Sequence, residues 1–355
     1  MITLDSTPLA RQGIDAAVDF ALERLDRRVA PLGDGARALA ASIRRAASGG
    51  KRFRPLLVVA AFETLHGPAI ARPALYEVAA AFELLHTAFV VHDDVIDHDV
   101  ERRGVPNIGG EFRRRGLDKG ADAGGAALLG DAAAILAGDL LLHEAGRMIA
   151  VAEIPASLRE QLLQLVDDAV LVSAAGELAD VENAVSPGDV DPDTVLRTTH
   201  DKTAVYSFSA PLQAGAVMAG AERSTQWALE RFGERLGLAY QLVDDLIGAF
   251  GTAAASGKDE GCDLREAKKT HLISLARESA DWPEVSAALA QAHTGPVAVR
   301  AAQTALAKSG ARSRLEVLVC ETLDEAVAIV EASTLPTECR LMLIELVEAV
   351  QERIP

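Results

Sequence analysis

Apolar residues recur along most of this chain at the three- and four-residue steps of a helix. Residues 8–30 set Ile14, Val18, Ala21, Leu22, Leu25 and Val29 on one side, the spacing of an amphipathic first helix. Residues 36–48 continue in that period as far as Gly49-Gly50. Pro55 suits the first turn of a third helix, which the apolar run carries to His66-Gly67-Pro68. Residues 73–98 predict a long apolar helix ending in acids, and 99–120, rich in Gly and Arg, are expected to be loop in part. Further helices are predicted over 126–150, 157–182, 192–220 and 225–250, followed by a Gly-rich charged loop over 251–266. Shorter helices follow over 268–280, 283–292, 296–309 and 315–354, with breaks at Gly295-Pro296, Ser309-Gly310 and Pro336. No run alternates convincingly with period two, and no linker, low-complexity segment or fixed-period repeat stands out. The expectation is one all-α domain over residues 1–355, of roughly ten helices or more.

Composition agrees. Hydrophobic residues make up 49% of the 355 and aromatics only 4%, which favours helices over the aromatic and β-branched habit of strands. A net charge of −17 argues against nucleic acid or an anionic membrane surface as the main partner. An acidic chain that binds an anion must gather its positive charge locally. Cys262, Cys320 and Cys339 are widely spaced and odd in number, so reduced thiols in a cytoplasmic protein are expected. The N-terminus has no basic stretch followed by an apolar core, so no signal peptide is expected. The most apolar stretch, 124–142, is broken by Asp131 and Asp139; it is expected to be a buried helix and not a membrane span.

Two acidic clusters interrupt the apolar pattern. The first is His-Asp-Asp-Val-Ile-Asp, with Asp93, Asp94 and Asp97; the second is Gln241-Leu-Val-Asp244-Asp245-Leu-Ile-Gly248. Asp93 and Asp97 are spaced i, i+4 and share a helix face. Short acidic runs are most often exposed helix ends. Here Val90, Val91, Val95 and Ile96 surround the first cluster, and Leu242, Val243, Leu246 and Ile247 the second. Acids in that setting should be buried, and carboxylates so close together need a cation or a proton between them. Several oxygens aimed at one point suit a hard divalent ion, Mg2+ first.

Basic groups flank both clusters. Ser48-Gly49-Gly50-Lys51-Arg52-Phe53-Arg54-Pro55 puts three cations in a glycine-rich loop before a helix, where backbone N–H groups favour an anion. A solvated basic loop would read the same way. Arg102-Arg103-Gly104 follows the first cluster, Lys202 lies 42 residues before Asp244, and Lys258, Lys268 and Lys269 follow the second cluster. Each alone is more often a surface charge. Together, in so acidic a chain, they point to two phosphate sites, one bridged by metal and one held by Arg and Lys directly.

Taken in order, these motifs resemble those of the trans-isoprenyl diphosphate synthases, and the resemblance spans most of the chain. Gly-Gly-Lys-Arg-Phe-Arg-Pro at 49–55 is similar to the family's first basic motif, and Asp93-Asp94-Val-Ile-Asp97 with Arg102-Arg103-Gly104 to its first aspartate-rich motif. Lys202-Thr203 is similar to its Lys-Thr motif, Gln241-Leu-Val-Asp244-Asp245 to its second aspartate-rich motif, and Gly257-Lys258 to Lys268-Lys269-Thr270 to its basic tail.

The resemblance implies an isoprenoid synthase type of fold, with helices around a central apolar cleft, and a homodimer. It implies that Asp93, Asp94 and Asp97 hold two Mg2+ and Asp244 a third. All three ions would bridge an allylic diphosphate (dimethylallyl, geranyl or farnesyl). Lys202 joins these acids as a catalytic residue. Arg102, Lys202 and Lys258 would contact the same diphosphate, while Lys51, Arg54, His86 and Arg103 would hold isopentenyl diphosphate. Gly50, Thr203, Gln241 and Lys268 complete the implied substrate-binding set. A histidine on an apolar helix is usually a satisfied core residue, but His86, two turns before Asp93, matches a family site. His92 and His98 read as structural.

Two departures stand out. The third acid of the family's second aspartate motif is Gly248 here, and Gly176-Glu177 stands where the family often has Gln after the glycine. The first departure is expected to spare activity and to weaken binding of the third ion.

The implied reaction is ionisation of the allylic diphosphate, with charge on the departing pyrophosphate neutralised by Mg2+, Arg and Lys. Isopentenyl diphosphate, held nearby, attacks the cation, and water must be kept out. Ala88 and Phe89, about one turn before Asp93, would form the floor that stops the growing chain. One is small and one bulky, which sets the expected product at C20 geranylgeranyl diphosphate, with farnesyl or longer-chain products as the alternatives. A class I terpene synthase would need no second diphosphate pocket. A non-catalytic partner subunit would typically lose the aspartate motifs. A metal-buffering helical protein would leave the paired basic motifs unexplained.

Overall fold

In a computed structural model of the chain, residues 8–68, 72–102, 104–186, 188, 190–251 and 260–355 are described. They are helical almost throughout. The first helices are α1 Pro8–Val29, α2 Asp34–Ala47, α3 Phe53–Thr64 and α4 Arg72–Ile96. A two-residue ribbon, β1 Glu101–Arg102 against β2 Val105–Pro106, leads to α5 Ile108–Asp118, α6 Ala123–Val151 and α7 Ala156–Val185. Then come α8 Pro192–Thr199, a wide π-helical segment His200–Ser209, α9 Ala210–Met218 and α10 Arg223–Phe250. The chain closes with α11 Cys262–Arg265, α12 His271–Arg277, α13 Trp282–Gln291, α14 Pro296–Lys308, α15 Ala311–Ala332 and α16 Thr337–Gln351.

The all-α expectation holds, and several helix starts have a local cause. Asn107, Asp122 and Asp191 each accept a hydrogen bond from the backbone N–H three residues on, at 2.8, 2.7 and 3.0 Å, satisfying donors that a helix start leaves open. The stretch 99–120 proves more ordered than its Gly and Arg content suggested, because Asn107 caps α5 within it. The predicted 315–354 helix is two helices, divided at Pro336 as expected.

The described residues divide into two compact units. One takes the described residues up to Val166 together with Ala214–Gly220. Its core gathers Ile14 of α1, Leu57 of α3, Leu75, Phe82, Leu84 and Leu85 of α4, and Leu141 and Ile149 of α6, all buried. α4 is apolar around most of its circumference and is buried accordingly, as such a helix must be. The 124–142 stretch departs from expectation. It lies on α6, and only 39% of that helix's most apolar window is buried, against 78% for α4. Leu128 is 71% and Leu136 55% exposed. Asp131 and Asp139 do not sit inside a core there; the helix keeps an apolar face to the outside.

The other unit takes Asp167–Gln213 and Ala221–Pro355. α10 packs on the π segment, α15 and α16, and Phe208, Phe232, Leu236, Leu242, Val319, Leu323, Leu343 and Leu346 fill the space between them. Where α10 meets the π segment the backbones touch. A Cβ placed on Gly237 would lie 2.7 Å from the Cα of Ala204, and one on Gly233 2.5 Å from the Cα of Ser209. Any side chain at either position would push the two helices apart.

Candidate active site

The first acidic cluster lies at the end of α4. Asp93 is half-buried, Asp94 only 6% exposed, and Asp97, just past the last helical residue, is exposed. The backbone N–H of Asp97 still donates to the carbonyl of Asp93 at 2.8 Å, so the i, i+4 relation read from the sequence survives. Burial raises the Asp94 carboxyl above its ordinary value, and Arg102 opposes this. Arg102 Nη1 donates to Asp94 Oδ1 at 2.6 Å. The β1–β2 ribbon turns Arg102 back toward the acid, with Gly104 at φ +75° in the turn. Arg103 lies outside the described residues.

The glycine-rich basic loop before α3 splits by role. Arg52, the loop cation to which the resemblance gives no substrate role, is an internal anchor. It adopts a left-handed backbone at φ +54°, a conformation that non-glycine residues seldom take. Its guanidinium donates to Asp15 at 2.7 Å, to the Ala47 carbonyl at 2.9 Å and to Glu83 at 3.0 Å. Gly50 and Lys51 are exposed and Arg54 is half-buried. On α4, Ala88 is fully buried, while His86 and Phe89 are half-buried. His92 packs against α6 at Gly138, where a Cβ would meet its ring at 2.1 Å, in keeping with its structural reading.

The second cluster lies within α10. Asp244 is half-buried and pairs with Arg353, whose guanidinium also stacks over the Tyr240 ring at 4.1 Å. Burial raises the Asp244 carboxyl; Arg353 opposes the shift and the negative charge of Asp263 adds to it. Asp245 is 7% exposed. Burial first, then the charges of Asp263 and Asp244, push its carboxyl up to about 8, against hydrogen bonds from the Gln241 side chain and the His271 backbone. Asp245 Oδ2 is buried without a hydrogen-bond partner. Lys268 Nζ lies 3.7 Å from Asp263 and 3.2 Å from Glu266. Lys269 instead donates to the carbonyls of Asn183 and Ser186, at 2.9 and 2.8 Å, and so ties down the end of α7. Lys258 lies outside the described residues.

Lys202 stands in the π segment, with Thr203 half-buried beside it. Wide turns of this kind are rare and concentrate at functional sites. The Lys202 ammonium bridges Glu177 at 3.0 Å and Asp180 at 2.9 Å on α7. A Cβ on Gly176 would meet the Lys202 backbone nitrogen at 2.4 Å, so the glycine lets α7 close on this turn. Glu177, a departure from the family pattern, supplies negative charge against the lysine.

Among the described residues no three His, Cys, Asp or Glu side chains converge into a ready cation cage. The donors present nonetheless fit magnesium. They are hard carboxylate oxygens, and one of them, on Asp245, is buried and unsatisfied. Magnesium rarely takes an all-protein cage; it keeps several waters and binds through one or two carboxylates plus substrate phosphates.

Sequence reasoning missed Arg353 and Asp263. The C-terminal stretch carries no motif that marks Arg353. Asp263 lies in the stretch 251–266, for which the sequence predicts only a charged loop.

The sequence pattern of the polyprenyl synthetase family matches residues 36–306. The chain is 32% identical to a geranylgeranyl diphosphate synthase of Sulfolobus acidocaldarius over 243 residues, 68% of this chain and 67% of that enzyme. It is 36% identical to a (2E,6E)-farnesyl diphosphate synthase of Mycobacterium bovis over 245 residues, 66% of this chain and 60% of that one. The alignments thus span about three fifths to two thirds of these curated relatives. In structure, a geranylgeranyl pyrophosphate synthase from Corynebacterium glutamicum, solved with isoprenyl diphosphate and magnesium, superposes with a TM-score of 0.89. That match covers 99% of this chain and 100% of the other at 27% identity.

Proposed function

The chain belongs to the polyprenyl synthetase family, and from that premise we propose that it is a magnesium-dependent prenyltransferase. It joins isopentenyl diphosphate to an allylic diphosphate and yields an all-trans prenyl diphosphate, C20 geranylgeranyl diphosphate first. The observation that carries this reading is coverage: residues 36–306 contain both aspartate clusters and every basic motif from Gly49 to Thr270.

In this reading Asp93, Asp94, Asp97 and Asp244 are the residues that would hold the magnesium ions, three in number by the resemblance. Bound magnesium supplies charge neutralisation and a template for the departing pyrophosphate. Arg102 and Lys202 add fixed positive charge where negative charge develops as the allylic C–O bond breaks. The ion pairs of Lys202 with Glu177 and Asp180 keep its ammonium from wandering. Lys51, Arg54 and His86, with Arg103, hold isopentenyl diphosphate, and Lys258 joins the allylic side. The isopentenyl double bond attacks the allylic carbon, a C–C bond forms, and the proton lost from the isopentenyl unit passes to the released pyrophosphate. Apolar residues of α4 exclude water, and Ala88 and Phe89 limit the chain.

The motifs are divided between the two compact units, and one condensation needs all of them, so the single-domain expectation belongs to this proposal. So does a homodimer, supported by the exposed apolar face of α6, since such faces mark protein contacts. A cytoplasmic setting is supported by three free cysteines.

The test is incubation of the purified chain with Mg2+, isopentenyl diphosphate and farnesyl diphosphate, with chromatography of the products. A C20 prenyl diphosphate supports the reading; a cyclic hydrocarbon or no turnover overturns it. Phe89→Ala should lengthen the product and Ala88→Phe shorten it, and unchanged lengths in both would remove these residues from the ruler. Leu136→Glu on α6 should convert a dimer to a monomer by light scattering.

A further inference from the structure

The basic loop before α3 is held by side chains of α1 and α4 that belong to none of the motifs. Arg11 and Asp15 lie four residues apart on α1 and so share a face. Between them, Gly13 lets α1 close on α4: a Cβ there would lie 2.2 Å from the Tyr76 ring. From that face Arg11 Nη2 donates to the Gly50 carbonyl at 2.7 Å, and Asp15 Oδ1 accepts from Arg52 Nε at 2.7 Å. Glu83 of α4, three residues before His86, accepts from Arg52 Nη1 at 3.0 Å. Arg52 is also where α3 begins, its carbonyl accepting from the Leu56 N–H at 3.0 Å. Holding Gly50 and Arg52 therefore fixes the backbone of Lys51 between them and the first turn of α3, which carries Arg54.

We infer that Arg11, Asp15 and Glu83 are positioning residues for isopentenyl diphosphate: acting through Gly50 and Arg52, they hold Lys51 and Arg54 in the arrangement that receives its diphosphate. The inference rests on the role proposed above for Lys51 and Arg54. Two observations support it. Arg52 keeps a left-handed backbone at φ +54°, which persists in a non-glycine residue only where its surroundings over-determine it. Three like charges within four residues also repel one another and favour an open loop. The clamp opposes both effects and is electrically balanced, two guanidinium groups against two carboxylates. It adds no net charge of its own and leaves those of Lys51 and Arg54 to meet the substrate.

A clamp that served packing alone would, when broken, lower stability or weaken both substrates together. A clamp on this loop acts on one substrate, because the allylic diphosphate is assigned to other residues.

The test uses the full chain with two readouts: calorimetric affinity for isopentenyl diphosphate without added magnesium, and steady-state kcat with the KM for each substrate. Folding is checked by circular dichroism. Asp15→Ala releases one side of Arg52 and should weaken isopentenyl diphosphate roughly tenfold in both Kd and KM, the worth of one charged hydrogen bond. The KM for farnesyl diphosphate and kcat should stay at their wild-type values. Arg11→Met should show a smaller loss of the same kind, and Arg11→Lys, which keeps a donor for the Gly50 carbonyl, should restore it. Unchanged affinity in a folded Asp15→Ala, or an equal weakening of both substrates, overturns the inference. If Asp15→Ala does not fold, the Arg11 pair decides: no loss in Arg11→Met, or a loss that Arg11→Lys does not repair, overturns it as well. A wild type that does not bind isopentenyl diphosphate overturns the role given to Lys51 and Arg54, which is a separate result.

Discussion

The two aspartate clusters solve the same electrostatic problem with different parts. The first is contiguous: its acids sit at the end of one helix, and the counter-charge, Arg102, returns through a tight ribbon eight residues after Asp94. The second is assembled from afar. Asp244 takes its counter-charge from Arg353, 109 residues on, and Asp263 enters the side-chain space at Gly248 from another helix. A contiguous site is written in one motif and changes as a unit. An assembled site draws its charges from separate elements, and no single motif records them.

The largest effect that would test this contrast is on turnover. Asp94→Asn and Asp244→Asn should each lower kcat roughly 100- to 1,000-fold; a near-normal rate for Asp244→Asn would leave the second cluster without a catalytic part. Stability should separate the clusters next. Burial, with the charges of Asp263 and Asp244, pushes the folded-state carboxyl of Asp245 up to about 8, while the unfolded value is about 4. The folded chain thus binds more protons in that window, so metal-free stability should fall as pH rises from about 4 through 8. Denaturant midpoints across that range should show the decline, and Asp245→Asn should flatten it.

Smaller effects should follow from the counter-charges. Arg102→Met leaves the buried Asp94 uncompensated and should raise the KM for the allylic diphosphate about tenfold, or roughly 1.4 kcal/mol. Arg353→Met removes a resident cation that competes with magnesium for Asp244, so the magnesium concentration for half-maximal rate should drop a few-fold. A magnesium requirement that rises in Arg353→Met would erase the distinction between a contiguous and an assembled site.

What the sequence let one read follows the same division. Helical periodicity placed α1, α4, α7 and α10 to within a few residues, and the acidic and basic motifs were visible because each is local. Arg353 and Asp263 were not, since no spacing rule links position 353 to 244 or 263 to 248. By residue type Arg52 matches its neighbours Lys51 and Arg54; burial with Asp15 and Glu83 gives the physical reason that it has no substrate role. For the apolar face of α6 hydropathy predicts core and the structure shows exposure, because hydropathy counts side chains and says nothing of what they meet. For the π segment the sequence predicts only an ordinary helix, since its apolar residues fit either turn.

That last segment bears on how this chain lines up with its kin. A π turn holds about one residue more than an α turn, and each residue of an α-helix advances the chain by roughly 100°. Lys202 reaches Glu177 and Asp180 from within such a turn. A relative that runs through the same stretch as plain α-helix would be shorter there, and a gapless alignment would pair Lys202 with a residue facing another way. Deleting one residue between 200 and 209 should likewise leave a helix, with its lysine swung off the α7 acids.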